Sequence, residues 1–237
     1  MKRALKLVAG ACAAALLLAA AHAGSPLQTD DAGVLAQGDC ELEGTALRQS
    51  AAGERATETS LQAGYGFGWN SQLALAVATT RSQGVRERGL ALGGKTTLWQ
   101  GEGHEDEVAA LALAWQVVGA SLPGESWRHA GSGLNLIASV PVAAALTLHA
   151  NLGHARAELD RQDATTWGLA VEHTGFGAGQ RWAPMAEIFG DDRERPWWNL
   201  GLRYTAVPEK VFIVFSYGRQ FTSERPSVLK LGFKAAF

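Results

Sequence analysis

The chain has 237 residues, of which 21 are lysine or arginine and 23 are aspartate or glutamate, for a formal net charge of −2 at pH 7. This balance gives no basic surplus, so no nucleic-acid partner is expected. Glycine is abundant at 28 residues and proline is sparse at seven. Only two cysteines occur, Cys12 and Cys40, so neither an intramolecular disulfide nor redox chemistry is expected. No cofactor is predicted.

The first residues have the parts of a secretory signal peptide. Three basic residues precede an apolar run over 7–21, which ends at the small residues of Ala21-His22-Ala23. We predict a cleaved signal peptide over 1–23. A transmembrane anchor is the competing interpretation, but the run is short and ends at a cleavage pattern.

The rest of the chain alternates apolar and polar residues in segments of about ten, separated by polar breaks. Such alternation gives a strand one apolar and one polar face, and ten residues suffice for a tilted strand to cross a bilayer. We predict an all-β fold, a transmembrane antiparallel up-and-down β-barrel of about 12 strands over residues 39–237, with ten or fourteen strands as alternatives. The predicted strands are 39–48, 57–68, 71–80, 88–99, 107–117, 128–139, 143–154, 165–174, 181–190, 197–206, 210–219 and 227–237.

The breaks between the segments differ in length. Tight turns are predicted at 68–71, 140–142 and 206–209. Longer charged loops are predicted between them, at 49–56, 81–88, 155–164, 191–196 and 220–226. Outer-membrane barrels have short periplasmic turns and long external loops, so the charged loops are assigned to the outside. Their arginines suit phosphate contacts, but acids are interspersed among them and plain solvation is the alternative.

One parity of the strands carries leucine, valine and aromatic residues, and we assign it to the lipid. The opposite parity carries polar side chains that would line a lumen, either as a solute-filtering constriction or as a structural salt-bridge network. The candidate lumen-lining residues are Glu41, Glu43, Lys95, Asn135, His149, Asn151, Glu172, Glu187, Asn199, Arg203, Lys230 and Lys234. A soluble sandwich would show the same alternation, so parity alone does not decide the fold.

Closure of the barrel predicts which of these charges meet. The first and last strands become neighbours, which brings Glu41 and Glu43 toward Lys230 and Lys234. Adjacent strands also bring Glu187 toward Arg203. Buried charges tolerate an apolar environment only when they are paired or hydrated, so these pairs are expected to form.

The tryptophans favour a membrane barrel over a sandwich, because indole prefers the boundary between lipid and water. Under the predicted segmentation all eight lie near strand ends: Trp69, Trp99 and Trp182 at the periplasmic end, and Trp115, Trp127, Trp167, Trp197 and Trp198 at the outer end. Trp99, Trp127 and Trp197 have inward parity, which indicates a β-bulge or a one-residue slip nearby.

No catalytic or metal site is predicted, and we expect the protein not to be an enzyme. A lipid-modifying activity would need a nucleophile and a base in contact. His129 and Ser132 are three residues apart on one predicted strand and therefore point to opposite faces.

The final strand ends on Phe237, which resembles the last strand of bacterial outer-membrane barrels, where that residue is part of the signal for the assembly machinery. Several further stretches resemble the outer-membrane barrel family named for the MetA pathway of phenol degradation, whose members are often labelled transporters. These stretches are PLQTDDAG at 26–33, QGDCELE at 37–43, NLGLRY at 199–204, VPEK at 207–210 and YGRQF at 217–221. The resemblance implies an outer-membrane location, about twelve strands, uptake of small, often aromatic compounds, and no catalytic residues.

Three functions are weighed on these grounds. The first is a narrow channel or transporter for a small, aromatic or hydrophobic solute. The second is a structural or surface-interaction barrel with an occluded lumen, and the third and weakest is a lipid-modifying enzyme. The expected partners are outer-membrane lipid and lipopolysaccharide, the barrel-assembly machinery and the solute. Residues 24–38 form a periplasmic segment, either a turn that leads the chain into the barrel or a short plug.

Overall fold

The computed structural model describes residues 26–51, 53–101 and 108–237. Twelve antiparallel strands in this part of the chain form one closed barrel, in which each strand pairs with its sequence neighbours and the first pairs with the last. The predicted all-β, up-and-down barrel of about 12 strands is confirmed. The predicted signal peptide at 1–23 lies outside the described residues.

The strands are β1 Cys40–Ala51, β2 Glu54–Gly68, β3 Ser71–Ser82, β4 Val85–Gln100, β5 Ala110–Ser121, β6 Arg128–Ala143, β7 Leu146–Ala157, β8 Gln162–His173, β9 Trp182–Asp191, β10 Trp197–Val207, β11 Val211–Gln220 and β12 Ser227–Ala236. We call the end where β1 begins and β12 ends the terminal mouth, and the opposite end the loop mouth. In the described part of the chain there is no helix long and apolar enough to cross a membrane.

The outer surface is apolar and the inner surface is lined by small and polar residues. On β3, Leu73, Leu75 and Val77 face outward and are 42–52 % exposed, whereas Ala74 and Ala76 face the lumen and are buried. Large apolar side chains fit a lipid-facing surface, and alanines leave space inside the barrel. This arrangement is the inverse of a soluble protein and explains the alternation in the sequence.

Three of the predicted external loops are largely strand pairs instead, and in one of them the ladder between β7 and β8 continues to Ala157 and Gln162. The ladder between β1 and β2 continues to Ala51 and Glu54, and that between β3 and β4 to Ser82 and Val85. Gln83 and Gly84 have φ values of 49° and 78°, which fits a two-residue hairpin turn. The prediction of loops at 49–56, 81–88 and 155–164 was wrong over most of their length, because backbone pairing does not require apolar side chains. The charged residues there keep the strand alternation.

The predicted turn at 140–142 is also displaced. Strand β6 continues to Ala143, and its pairing with β7 shifts register between Pro141 and Ala143. Proline has no backbone N–H to donate, so it is tolerated at such an irregularity near a strand end.

The placement of the tryptophans is only partly as predicted. Trp115 and Trp167 lie in the middle of β5 and β8 instead of at the outer end. Both rings cover a glycine on the neighbouring strand: a Cβ at Gly94 would lie 2.8 Å from Trp115 Nε1, and one at Gly190 would lie 3.6 Å from the Trp167 ring. An aromatic ring over a glycine restores the packing that the missing side chain leaves open. The expected irregularity near Trp99 is present as a register shift between Thr97 and Trp99.

The barrel closes at its two chain ends. Cys40 N donates to the Phe237 carbonyl at 2.9 Å, and Phe237 N donates to the Cys40 carbonyl at 3.0 Å. The Phe237 side chain is 73 % exposed. An aromatic side chain at the terminal mouth is therefore free to contact lipid or another protein.

Candidate functional site

Residues 26–36 run inside the barrel, and we call them the lumen segment. Leu27 and Thr29 are 2 % exposed and Ala32 is fully buried, although none of them belongs to a strand. The segment joins the barrel at the terminal mouth, where Gly38 N donates to the Gly66 carbonyl at 2.8 Å. The lumen therefore holds a stretch of the chain itself.

Glu187 on β9 holds the beginning of the lumen segment. Its carboxylate accepts hydrogen bonds from Gln28 N at 2.8 Å and from Thr29 N at 2.7 Å. Asn199 on β10, directly opposite Glu187 in the ladder, donates to the same carboxylate from Nδ2 at 2.8 Å. Hydrogen bonds to an ionised acceptor are the stronger kind, so this carboxylate is a main anchor of the segment.

Lys95 on β4 holds the middle of the lumen segment. It is 2 % exposed, and its Nζ lies 3.3 Å from Asp30 Oδ1, 3.6 Å from Asp31 Oδ1 and 2.8 Å from the Asp31 carbonyl. A buried ammonium group is tolerated only with such partners. The lumen segment thus supplies the charges that neutralise Lys95.

Further polar side chains bind the remaining backbone of the lumen segment. Asn151 accepts from Asp30 N at 2.6 Å and donates to the Asp30 carbonyl at 2.9 Å. Ser139 Oγ accepts from Ala32 N at 2.8 Å, and Gln72 Oε1 accepts from Leu35 N at 2.7 Å. Further contacts come from Thr97 Oγ1 to the Ala32 carbonyl, from Lys230 Nζ to the Pro26 carbonyl, and from Asn135 Nδ2 to Asn151 Oδ1. The lumen side chains therefore replace the water that an exposed backbone would bind.

Three inward-facing glycines give the lumen segment its space. A Cβ at Gly66 would collide with the carbonyl oxygen of Ala36, one at Gly168 would lie 2.6 Å from Thr29 Oγ1, and one at Gly201 would lie 2.9 Å from Pro26 Cγ. A larger residue at one of these three positions would displace the segment or shift the strand as long as the facing residue of the segment is unchanged. The barrel wall is thus shaped to admit the segment closely.

Apolar contacts of the lumen segment are few. Leu27 packs on Ala170, Ala183 and Met185, and Ala32 packs in a second cluster with Ala112, Ala114 and Ile137. Burying one leucine contributes roughly 1.5–3 kcal/mol. Most of the attachment is therefore polar.

The remaining predicted lumen charges form ion pairs near the terminal mouth. Lys234 contacts the Glu41 carboxylate and lies 3.7 Å from Glu43 across the seam between β1 and β12. Arg203 pairs with Glu172, which lies 3.7 Å from His149 Nε2. His149 Nδ1 and Ser139 Oγ are 2.8 Å apart. Because Ser139 also binds Ala32 N, this contact connects the ion-pair cluster to the lumen segment.

Two of the expected charge pairs were wrong. Arg203 is opposite Ala183 in the ladder, four residues from the Asn199–Glu187 pair, so it reaches Glu172 instead of Glu187. Lys230 is turned to the lumen segment, whereas Lys234 alone meets the two glutamates of β1. Sequence parity gives the facing side chains but not the register that decides which of them are opposite.

All twelve predicted lumen residues have inward parity in the observed strands. Several other inward polar residues were not predicted from the sequence. Ser139 and Gln72 bind the lumen segment, and Glu58, Thr80 and Glu87 are buried in one row of β2, β3 and β4. Glu58 follows the same parity as Gln62 and was detectable from the sequence. Ser139 was not, because a serine gives little polarity signal on its own.

The described residues contain no cluster of three or more histidine, cysteine or acidic side chains that could hold a metal ion. His129 Nε2 lies 3.0 Å from the Gly131 carbonyl. This part of the chain thus offers a polar lumen filled by its own backbone as the main candidate site.

The closed barrel, its apolar exterior and its polar lumen define the fold of the bacterial outer-membrane β-barrels. The sequence matches the family described as "Uncharacterised conserved protein UCP029691" over residues 11–237, and the chain belongs to that family. Comparison with curated proteins finds no match.

Solved outer-membrane barrels share the fold. The KdgM porin in complex with disordered oligogalacturonate superposes with a TM-score of 0.62 at 11 % identity, over 83 % of this chain and 99 % of that one. The Acinetobacter baumannii outer membrane protein Omp33 gives 0.51 at 10 % identity, over 85 % and 99 %. The Ralstonia pickettii toluene transporter TbuX gives 0.51 at 9 % identity, over 90 % and 92 %. At these identities the likeness extends to the fold alone.

Proposed function

We propose that the protein is a bacterial outer-membrane channel for a small solute and that the lumen segment is its plug. The observation that carries the proposal is the position of residues 26–36, whose backbone is bonded to lumen side chains on β3, β4, β6, β7 and β9. The porin and transporter folds of the neighbours support the channel class. In this proposal the signal peptide at 1–23 is removed, and the assembly machinery recognises Phe237.

The chemistry of the attachment favours a plug that can leave. Water can replace the hydrogen bonds of Ser139, Gln72 and Asn151 at little net cost, because such bonds contribute only about 0.5–1.5 kcal/mol each. The buried apolar residues of the segment are only Pro26, Leu27 and Ala32. A permanent filling would be expected to bury a larger apolar surface.

The lumen charges indicate the solute class. In the described strands the buried or half-buried inward acidic side chains outnumber the basic ones by seven to four. The acids are Glu41, Glu43, Glu58, Glu87, Glu172, Glu187 and Asp191, and the bases are Lys95, Arg203, Lys230 and Lys234. A lumen with this excess disfavours polyanions. We propose a small neutral or cationic solute, in contrast to the oligogalacturonate of the KdgM complex.

An aromatic or hydrophobic solute fits the inner wall. Ala76, Ala91, Val118, Ala120 and Ala130 form an apolar strip on β3 to β6. The resemblance to the MetA-pathway family and the fold of the toluene transporter TbuX support the same class. An apolar strip beside acidic groups would bind the body of such a molecule without holding it tightly.

The substitution Glu187→Gln tests the proposal. It removes the charge that binds Gln28 N and Thr29 N and turns an amide donor toward them, which weakens the closed state by about 1.5–3 kcal/mol. We expect the open fraction, measured as mean conductance in planar bilayers, to rise about ten- to a hundredfold.

Glu58→Gln is the matched control, because Glu58 is also a buried inward carboxylate but accepts its hydrogen bond from Thr80, at 3.1 Å, and not from the lumen segment. Its open fraction should equal that of the unaltered protein, because the lumen segment keeps all its contacts. If both variants fold and neither conducts more than the unaltered protein, the result favours a structural barrel with a permanently filled lumen.

A further inference from the structure

Arginines form a belt on the outer surface at the loop mouth. Each lies on a strand with the parity of its lipid-facing neighbours; on β4, for example, Arg86 and Arg88 share the face of Leu90 and Leu92. We call this set the arginine belt: Arg48, Arg55, Arg81, Arg86, Arg88 and Arg219.

The register of the strands places like charges side by side. Arg81 is directly opposite Arg86, and Arg48 is joined to the same row through Thr57. Neighbouring strands are only about 4.8 Å apart, and directly opposed like charges are destabilising. A row of this kind calls for anions between the guanidinium groups.

The part of the chain that the structure describes supplies no such anions. The carboxylates of Glu58 and Glu87 on the same strands point into the lumen and are buried. Among the described residues, no member of the arginine belt forms an ion pair with a carboxylate. On β7, by contrast, the outward Arg156 pairs with Glu158 and with Asp163, the latter at 3.1 Å.

A recess extends the belt on β10 and β11. It has a volume of about 680 Å³ and is lined by Arg195, Arg219 and Arg225 together with Trp198 and Phe221. Trp198 is directly opposite Arg219 on the outer face, and its ring meets that of Tyr217 edge-on at 5.8 Å. Aromatic side chains of this kind mark the level where lipid tails give way to headgroups.

We infer that the arginine belt and this recess bind the phosphate groups of a lipid headgroup that carries more than one phosphate. Guanidinium groups bind phosphate with paired, charge-assisted hydrogen bonds. Several phosphates on one headgroup neutralise neighbouring arginines at once, as the Arg81–Arg86 pair requires. The apolar surface directly below the belt, with Leu90 and Val77, accommodates the acyl chains of the same molecule.

This inference rests on the proposed location in the outer membrane but not on transport. Headgroup binding is measured on the folded protein without any solute, whereas the channel proposal is measured as conductance. Either can fail while the other stands.

The test uses the refolded full-length mature protein in neutral detergent, titrated with diphosphorylated lipid A and followed by native mass spectrometry. The variant Arg81→Gln/Arg86→Gln should bind about tenfold more weakly, because it loses charge-assisted contacts. Arg219→Gln/Arg225→Gln tests the recess in the same way. Arg156→Gln is the matched control, since Arg156 is outward but already paired with Asp163, and its binding should be unchanged.

Two further arms separate the source of the phosphate. Lipid A without its phosphates should not bind, and inorganic phosphate at the concentration of the lipid should not displace it. Equal lipid binding by all variants would overturn the inference, and so would displacement by inorganic phosphate, which would indicate a simple anion site. A shift in mobility on heating in SDS gels shows that each variant is folded.

Discussion

Deletion of residues 26–36 is expected to raise the mean conductance of the barrel in planar bilayers about a hundredfold. The lumen segment is bonded to five strands through Gln72, Lys95, Ser139, Asn151 and Glu187. Even a net stabilisation of about 3 kcal/mol would keep the lumen closed more than about 99 % of the time. Removing the segment removes that equilibrium altogether.

The barrel itself should survive the deletion. Every strand ladder, including the seam between β1 and β12, forms without residues 26–36. The deletion begins after the predicted cleavage site and keeps residues 37–39, so Gly38 N and the Asp39 carbonyl still bond to Gly66. A folded deletion variant with the conductance of the intact protein would show that the lumen segment does not close the channel.

Lys95→Met should open the channel by a different route. The substitution leaves Asp30 and Asp31 without their shared counter-charge, whereas the methionine itself fits an apolar wall. Breaking one side of a buried pair costs about 3–5 kcal/mol, and the low end applies because the Asp31 side chain is 31 % exposed. The open fraction should therefore rise about a hundredfold, measured as mean conductance in planar bilayers.

Two comparison variants make the Lys95 experiment specific. Lys230→Met removes an inward lysine that donates only to the neutral Pro26 carbonyl, at 3.1 Å, so it should open the channel far less. The triple variant Lys95→Met/Asp30→Asn/Asp31→Asn removes the orphaned charges as well and should close again. If Lys95→Met conducts no more than Lys230→Met, the pairing of Lys95 with Asp30 and Asp31 does not keep the lumen segment inside the barrel.

The barrel could be predicted from the sequence because apolar and polar residues alternate along every strand. The leucines of β3 and the glutamates of β1 lie on the faces that parity assigns to them. The ends of β1 to β4 at the loop mouth could not be predicted in this way. Charged residues such as Arg81 and Arg86 are typical of loops, and a search for apolar faces therefore leaves them out of the strands. The arginines there were recognised as suited to phosphate contacts, but they were assigned to loops and not to the outer face of paired strands.

The residues that bind the lumen segment were only partly predictable from the sequence. Lys95 and Glu187 were recognised as inward charges, but their partners come from residues 28–31, which carry no strand pattern. The inward glycines at 66, 168 and 201 likewise make sense only once the segment is in place. Contacts between a strand and an irregular segment depend on three-dimensional positions that periodicity does not encode.

The most direct test is a reversible covalent link between the lumen segment and the barrel wall, made with Thr29→Cys and Gly168→Cys in a Cys40→Ser background. A Cβ at position 168 would lie 3.4 Å from Thr29 Cβ, close to the separation found in disulfides, and the Thr29 hydroxyl that it would crowd is removed by the Thr29→Cys substitution. We expect the two cysteines to cross-link on oxidation and the oxidised protein to stay closed. Adding a reductant to the same bilayer should then restore channel openings. Absence of the cross-link in folded protein, or the same conductance before and after reduction, would contradict it.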